Sequence, residues 1–376
     1  MSDAVEPHVR CWAEIDAAAL RHNARVAREL VSPAQLLAIV KPDAYGHGAD
    51  TVVPAIEPHV GVFGVANVDE AAKLRTSRPI LLLSPCLPAE RELVVGRRFI
   101  PSLSTFAEID GFAAAAASGR REPAPLPVHL VVDTGMGRIG FAPGRLAAAL
   151  DHAAGLPAIE VTAISTHLPS ADEDREFTRA QLAGFGELIE RLGERRRGLA
   201  IHCLNSAGML RFPRQARDLV RPGLQLYGVS PVPEHAGRMH PVMSVRTRVT
   251  LVRELPAGHG VSYGRTFITS RPTRVATLAI GYADGYPRAL SGSGADVLVG
   301  GRRCPLLGRV TMDQIMVDVS ALESVQPGAV ATVLGRDGDC EISAAELAER
   351  AATIPWEILT GIQQRVLRIP LDSDGG

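Results

Sequence analysis

The sequence predicts a (β/α)8 barrel of the TIM type followed by a mostly-β domain, and three observations carry that expectation. Between about residues 35 and 225, short apolar runs alternate with amphipathic or alanine-rich stretches, as buried parallel strands alternate with helices. Eight such runs fall in that span, the number a closed barrel needs, although a doubly wound open sheet has the same local signal. Beyond residue 240 the pattern turns to apolar–polar alternation broken by glycine and proline, as in half-exposed antiparallel strands.

In order, the barrel strands are expected at 36–40 (LLAIV), 61–65 (GVFGV), 80–84 (ILLLS), 98–101 (RFIP), 128–132 (VHLVV), 161–166 (VTAIST), 200–204 (AIHCL) and 218–220 (DLV). Between them lie helical patterns such as 104–118, with its alanine run at 113–117, and 175–192. A Pro- and His-rich segment, 231–241, separates the two textures, so the barrel is assigned to 8–238 and the β domain to 239–376. In the second domain, strands are expected at 245–255, 261–268, 275–281, 295–300, 305–310, 314–320 and 329–334. One helix there opens on a capping box at Ser343 and Glu346.

Composition narrows the function. With 376 residues, 46% hydrophobic and 22% charged, the chain has ample material for two packed cores. Lys+Arg 40 against Asp+Glu 41 gives a net charge of −1, which provides no field for a nucleic-acid backbone. No apolar run approaches the roughly 20 residues of a membrane span, and the N-terminal segment has no basic-then-apolar leader pattern, so a cytoplasmic protein is expected. Five scattered cysteines without CxxC read as reduced thiols, and the absence of HExxH, HxH or a carboxylate cluster implies no metal.

Of the 40 basic residues only Lys41 and Lys73 are lysine, all others being arginine. A lysine kept in such a chain is suspected of chemistry that guanidinium cannot do, namely losing its proton to act as nucleophile or base. Lys73 has a plain explanation, a helical surface position four residues after Asp69. Lys41 directly follows the first barrel strand, at the end where barrel enzymes do chemistry. A partly buried amine there would titrate below the usual value of about 10.4, the condition for imine formation with an aldehyde.

Residues 135–140, GMGRIG, satisfy the dinucleotide pattern GxGxxG, but in the fifth βα unit and with the next helix delayed by another Pro-Gly. The more useful reading is Arg138 on a glycine-rich strand-end loop, suited to gripping a carboxylate. His167 and Arg221 also follow strands, while Ser206 with the backbone of Gly223 and Leu224 can form a phosphate cup. Each alone is more often structural; together at successive strand ends they point to one site.

With these residues in view, the sequence resembles the alanine racemase family of pyridoxal 5'-phosphate enzymes, from WAEIDAAALRHN (12–23) to TIPWEILTGI (353–362). AIVKPDAYGHGA, DTGMGRIGF, STH, NSAG, VRPGLQLYG, VSYGRTF, IGYADGYPR and GRVTMDQIMVDV occur in the family's order. The resemblance implies that Lys41 joins the cofactor covalently and acts as one base, and that Tyr263, contributed by the partner of a head-to-tail homodimer, is the other. It implies further that Arg221 faces the pyridine nitrogen and His167 links Arg221 to Tyr263. Tyr45, Ser206, Gly223, Leu224 and Trp356 would border the phosphate. Arg138 and the Met312 N–H would hold the substrate carboxylate, with Tyr282 at the entrance.

These roles are chemically coherent. Racemisation needs an electron sink for the α-carbon and two bases on opposite faces. An arginine opposite the ring nitrogen keeps its proton, so the sink stays weak and favours proton return; a carboxylate there would favour decarboxylation. Three positions depart from the family pattern: Val131 replaces a lysine that can be carbamylated, Trp356 replaces a tyrosine, and Pro42 replaces an alanine. The implied activity is interconversion of L- and D-alanine. The alternatives are a racemase for another small amino acid such as serine, a decarboxylase of related fold, or a noncatalytic cofactor-binding protein.

Overall fold

The computed structural model describes residues 5–118 and 125–371, which divide into two units. The barrel unit comprises Leu20–Ala44 and Val52–His240. The β unit comprises the described residues up to Ala19, then Tyr45–Thr51 and the chain from Pro241 onward. The strands are numbered along the chain, β1 (Cys11–Asp16) belonging to the β unit.

Eight strands follow in the barrel unit: β2 (Gln35–Ile39), β3 (Val62–Val65), β4 (Ile80–Leu82), β5 (Ile100–Leu103), β6 (Leu126–Val131), β7 (Ile159–Ser165), β8 (Ala200–His202) and β9 (Leu219–Val220). All neighbours pair parallel in the order β8-β7-β6-β5-β4-β3-β2-β9. The ring closes between β8 and β9. There Asp218 N–H donates to the Ile201 carbonyl (3.1 Å), Arg221 N–H to the Leu204 carbonyl (2.9 Å), and Asn205 bridges to Arg221. That closure separates the barrel from the open doubly wound sheet, since an open sheet leaves two unpaired edges. The run at 98–101 pairs two residues later than expected, because Arg98 takes a left-handed φ of 55° to end the preceding helix.

The strands are buried because helices cover them, and each helix reveals its inner face by spacing. Helix Arg175–Arg191 buries Thr178, Gln181, Leu182, Phe185, Leu188 and Ile189, a stripe at steps of three and four. Its N-terminus is capped by Asp174, whose carboxylate accepts the N–H groups of Glu176 (3.1 Å) and Phe177 (2.9 Å). Lys73 ends helix Val68–Lys73 exposed, and among the described residues it forms no ion pair with Asp69.

In the β unit the strands are β10 (Met243–Leu255), β11 (Gly260–Val261), β12 (Phe267–Ile268), β13 (Thr273–Leu278), β14 (Asp296–Val299), β15 (Arg302–Pro305), β16 (Ile315–Asp318), β17 (Val330–Asp337), β18 (Cys340–Ile342) and β19 (Leu367–Leu371). Strand β10 alternates buried and half-buried positions along much of its length and pairs with β1, β13 and β17. The barrel limits expected from sequence begin at residue 8, whereas Cys11–Asp16 pairs antiparallel with β10 and parallel with β19. The reason is Trp12, which is 1% exposed in this sheet and lies under the Arg248 guanidinium at 5.2 Å. The strand expected at 305–310 is replaced by β15, with only Leu306 bridging to Val317 beyond it, because Gly308 adopts φ +71° and breaks the extended run. Half of the expected capping box forms. Ser343 Oγ accepts Glu346 N–H (3.1 Å), but the Glu346 carboxylate turns to Arg303 (2.6 and 2.8 Å) instead of the cap.

Among the described residues no helix is long and apolar enough to cross a membrane, and no group of three or more His, Cys, Asp or Glu could hold a metal ion.

Candidate active site

Strand β2 delivers Lys41 to the carboxyl edge of the barrel, where Pro42 (φ −69°, ψ 126°) stops the pairing. Asp43, Ala44 and Tyr45 then take φ values of 47°, 54° and 54°, three successive left-handed residues without a glycine. Such residues cost roughly 1–3 kcal/mol each and persist where the surroundings over-determine them, typically beside functional groups. Burial lowers the Lys41 pKa from the usual lysine value, and the charge of Arg138 lowers it further against a weaker opposing pull from Glu70. Both effects shift the amine's equilibrium toward its neutral, nucleophilic form.

Arg221, after β9, is 6% exposed and has no carboxylate partner among the described residues. Its guanidinium is held by strand-end carbonyls instead. Nη2 donates to Thr166 (2.6 Å) and Cys203 (3.1 Å), and Nη1 donates to the His202 carbonyl (3.1 Å). Burial lowers its pKa to about 10, which leaves it charged at neutral pH. Nη1 also donates to His202 Nδ1. Arginine can only donate, so Nδ1 must accept, and the proton of this neutral imidazole lies on Nε2. Nε2 in turn faces His129 Nδ1 at 3.2 Å. Desolvation, reinforced by Arg221, holds His202 well below the usual histidine range and His129 down to about 3. Among the described residues the Arg221 Nε–H has no acceptor, an open donor.

His167 Nδ1 lies 3.5 Å from Arg221 Nη2, a long contact. Its pKa falls to about 3 through burial first, then the charges of Arg221, Arg138 and Lys41, so it is a neutral imidazole. Its carbonyl accepts from Gln181 Nε2 (2.9 Å), and the same amide donates to Thr134 Oγ1 (2.8 Å) on the Arg138 loop. That loop is wound around Asp133, whose carboxylate accepts the N–H groups of Gly135, Met136 and Gly137 at 2.9 to 3.1 Å. These bonds also lower the Asp133 pKa. Gly140 (φ +120°) closes the loop, and a Cβ there would sit 2.5 Å from the Asp133 nitrogen. The GxGxxG segment is therefore a loop folded around a carboxylate, and no helix starts in it; a 3-10 turn, Pro143–Arg145, and the α-helix Leu146–Ala154 come after it. Val131 is buried, and the exposed Arg138 has no carboxylate partner among the described residues.

Ser206 opens helix Ser206–Arg211, which Asn205 caps by accepting Gly208 N–H (2.9 Å). Its hydroxyl oxygen accepts from Gly223 N–H (2.8 Å) and Gln225 N–H (3.5 Å), so its own proton points elsewhere. That hydroxyl and the Leu224 N–H have no acceptor among the described residues. A phosphate fits such a pair of donors, a ring nitrogen fits the Arg221 Nε–H, and an aldehyde fits the Lys41 amine. The donor set thus suits pyridoxal phosphate.

The β unit carries the remaining candidates. Tyr263, in the turn Tyr263–Arg265 between β11 and β12, is 71% exposed. The turn is held by Ser262 Oγ donating to the Arg309 carbonyl (2.7 Å). Tyr282 and Met312 are also exposed, and the Met312 N–H has no partner among the described residues. Trp356 lies half-buried in helix Pro355–Gly361. Tyr45 is buried, which pushes its phenol up to about 12. His129, His202, Gln181 and Asp133 are not singled out by sequence. The available signal was a histidine inside each of two apolar strands, since a buried imidazole must find a partner.

The family described as alanine racemase, N-terminal domain, matches residues 15–231, and alanine racemase, C-terminal domain, matches 242–370. The alanine racemase of Symbiobacterium thermophilum is 42% identical over 373 residues, covering 95% of this chain and 96% of its own length. That of Methylacidiphilum infernorum is 39% identical, covering 96% of this chain and 92% of its own. The structure of alanine racemase from Streptomyces coelicolor A3(2) superposes with a TM-score of 0.89 at 36% identity, covering 97% of this chain and 99% of that one. The Bartonella henselae enzyme, solved with covalently bound pyridoxal phosphate, gives 0.86 at 30% identity, covering 96% and 100%. With the two family domains matched over 15–231 and 242–370, and relatives about 40% identical over some 95% of its length, this chain belongs to the alanine racemase family.

Proposed function

We infer that this chain is a pyridoxal-phosphate-dependent isomerase that interconverts L- and D-alanine. The observation that carries the reading is Lys41, one of two lysines, at a barrel strand end with its amine held below the ordinary lysine pKa. Full-length likeness to proteins named alanine racemase supports the substrate, and the cofactor-bearing relative supports the cofactor.

In this reading Lys41 binds the cofactor covalently, Ser206, Leu224 and Tyr45 hold its phosphate, Gly223 serves that cup by donating its N–H to Ser206 Oγ (2.8 Å) so that the hydroxyl proton turns outward, and Trp356 borders it. Arg221 faces its ring nitrogen through Nε. When bound, pyridoxal phosphate supplies the electron sink that makes the α-proton of an amino acid removable. Arg138 and the Met312 N–H hold the substrate carboxylate, and Tyr282 lines the entrance. Lys41, with its amine freed when the substrate amine takes its place, would take or return the α-proton on one face, and Tyr263 would serve the other. Arg221 keeps its own proton at neutral pH and would offer the ring nitrogen a hydrogen bond without giving it a charge. That restrains the sink and favours proton return over loss of CO2.

A second base that is 71% exposed cannot hold a substrate proton in place unless another surface covers it. The reading is therefore a head-to-tail homodimer in which Tyr263 of the partner subunit completes each site, with His167 linking it to Arg221. Five unpaired cysteines suit a reducing compartment, the cytoplasm.

Incubating the holoenzyme with L-alanine in D2O tests the activity. Deuterium at the α-carbon together with D-alanine is the expected result. Absence of both removes alanine as substrate, and CO2 release in their place indicates decarboxylation.

A further inference from the structure

Two short loops of the β unit carry Tyr282 and Met312, and they are joined about as closely as two chains can be. Tyr282 N–H donates to the Thr311 carbonyl (3.0 Å) and Ala283 N–H to the Met312 carbonyl (3.0 Å). A Cβ on Gly281 would lie 2.3 Å from both carbonyl oxygens, so only glycine permits this approach. The second loop is closed by Thr311 N–H donating to the Gln314 carbonyl (3.1 Å) and by Gln314 N–H donating to Thr311 Oγ1 (3.2 Å). With both carbonyls occupied, the Met312 N–H is left open.

A single arginine spans the pair. Arg365 Nε donates to Asp284 Oδ1 (2.6 Å) and Nη2 to Asp313 Oδ1 (2.7 Å). Asp284 is 5% exposed, and its other oxygen accepts Gly281 N–H (2.8 Å), fixing the turn that bears Tyr282. Asp313 is the residue next to Met312 and is itself exposed. Without Arg365, two carboxylates on adjoining loops would repel each other, and Asp313 would have no other partner among the described residues to hold it. A charge-assisted bond on each arm makes the guanidinium a rigid spacer of fixed length.

We propose that Arg365 is a positioning residue that clamps Asp284 to Asp313, and so aims the Met312 N–H and offsets one of the two negative charges beside it, so that the site can accept a carboxylate. The proposal rests on the reading above, in which the Met312 N–H binds the substrate carboxylate. In this role Arg365 acts only through Asp284 and Asp313.

The test compares R365Q, R365K, D313N and the R365Q/D313N double variant as holoenzymes, by alanine kinetics and by amide hydrogen exchange of the unliganded proteins. R365Q is expected to raise KM for alanine about tenfold, equivalent to about 1.4 kcal/mol, with kcat within about twofold. R365K should recover part of that loss. D313N should raise KM in the same sense, and the double variant should be no worse than R365Q alone. Exchange across 281–284 and 311–314 should quicken in R365Q and D313N and nowhere else. An unchanged KM in R365Q, losses that multiply in the double variant, or unchanged exchange overturns the proposal. Should R365Q fail to fold, D313N alters only an exposed side chain and decides the matter by the same readouts. A wild-type protein that does not racemise alanine instead overturns the reading of function, and the exchange rates still decide whether the clamp exists.

Discussion

The reactivity of Lys41 depends on what surrounds its amine. Burial contributes most to its lowered pKa and Arg138 next, so replacing Arg138 by Gln removes a repelling charge and raises the Lys41 pKa. The pH at which the apoenzyme takes up pyridoxal phosphate half-maximally fast, followed by absorbance after mixing, should then move to higher pH. An unmoved profile would sink the electrostatic account. His202 offers a second test. H202L takes an acceptor from buried Arg221 and a donor from His129, and each orphaned buried group costs about 1–3 kcal/mol. A lower urea midpoint is expected, together with slower turnover from a less firmly held Arg221.

At the scale of elements, the barrel interior is a neutral-histidine environment. The pKa values of His129 and His167 are depressed from 6.5 to about 3, so between those values the unfolded chain binds more protons than the folded one. Their contribution to stability is complete above pH 6.5 and is lost as the pH falls toward 3. Urea midpoints measured from pH 7 down to 4 should decline, and H129Q should flatten the decline. The Arg138 loop makes its own prediction. G140A puts a methyl 2.5 Å from the Asp133 nitrogen at a φ only glycine tolerates, so the loop must open. A severalfold rise in KM with a smaller change in kcat is expected, and equal losses in both would mean Arg138 does more than bind.

For the whole molecule, the proposal of shared sites makes a quantitative claim. K41A alone should lose racemisation by about 10³-fold or more, and Y263F should cripple at least one direction while keeping the cofactor. Mixed and allowed to exchange subunits, the two inactive variants would form heterodimers in which one of the two sites has both Lys41 and Tyr263. Random pairing then restores about a quarter of wild-type activity. If activity does not return on mixing, Tyr263 acts within its own chain or not at all.

The sequence by itself determined the order of the barrel strands, the mostly-β texture that follows them, and the family. Each of these is written in local quantities: apolar run length, period, and motif order. Tertiary structure alone decided which strands close the ring, that Cys11–Asp16 joins the second sheet, that His202 and His129 stand behind Arg221, and that Arg365 joins Asp284 to Asp313. These are pairings between residues far apart in the chain, and no local periodicity encodes which distant group a side chain will meet. Histidine inside an apolar strand tells that a partner exists; only the folded ring supplies its name.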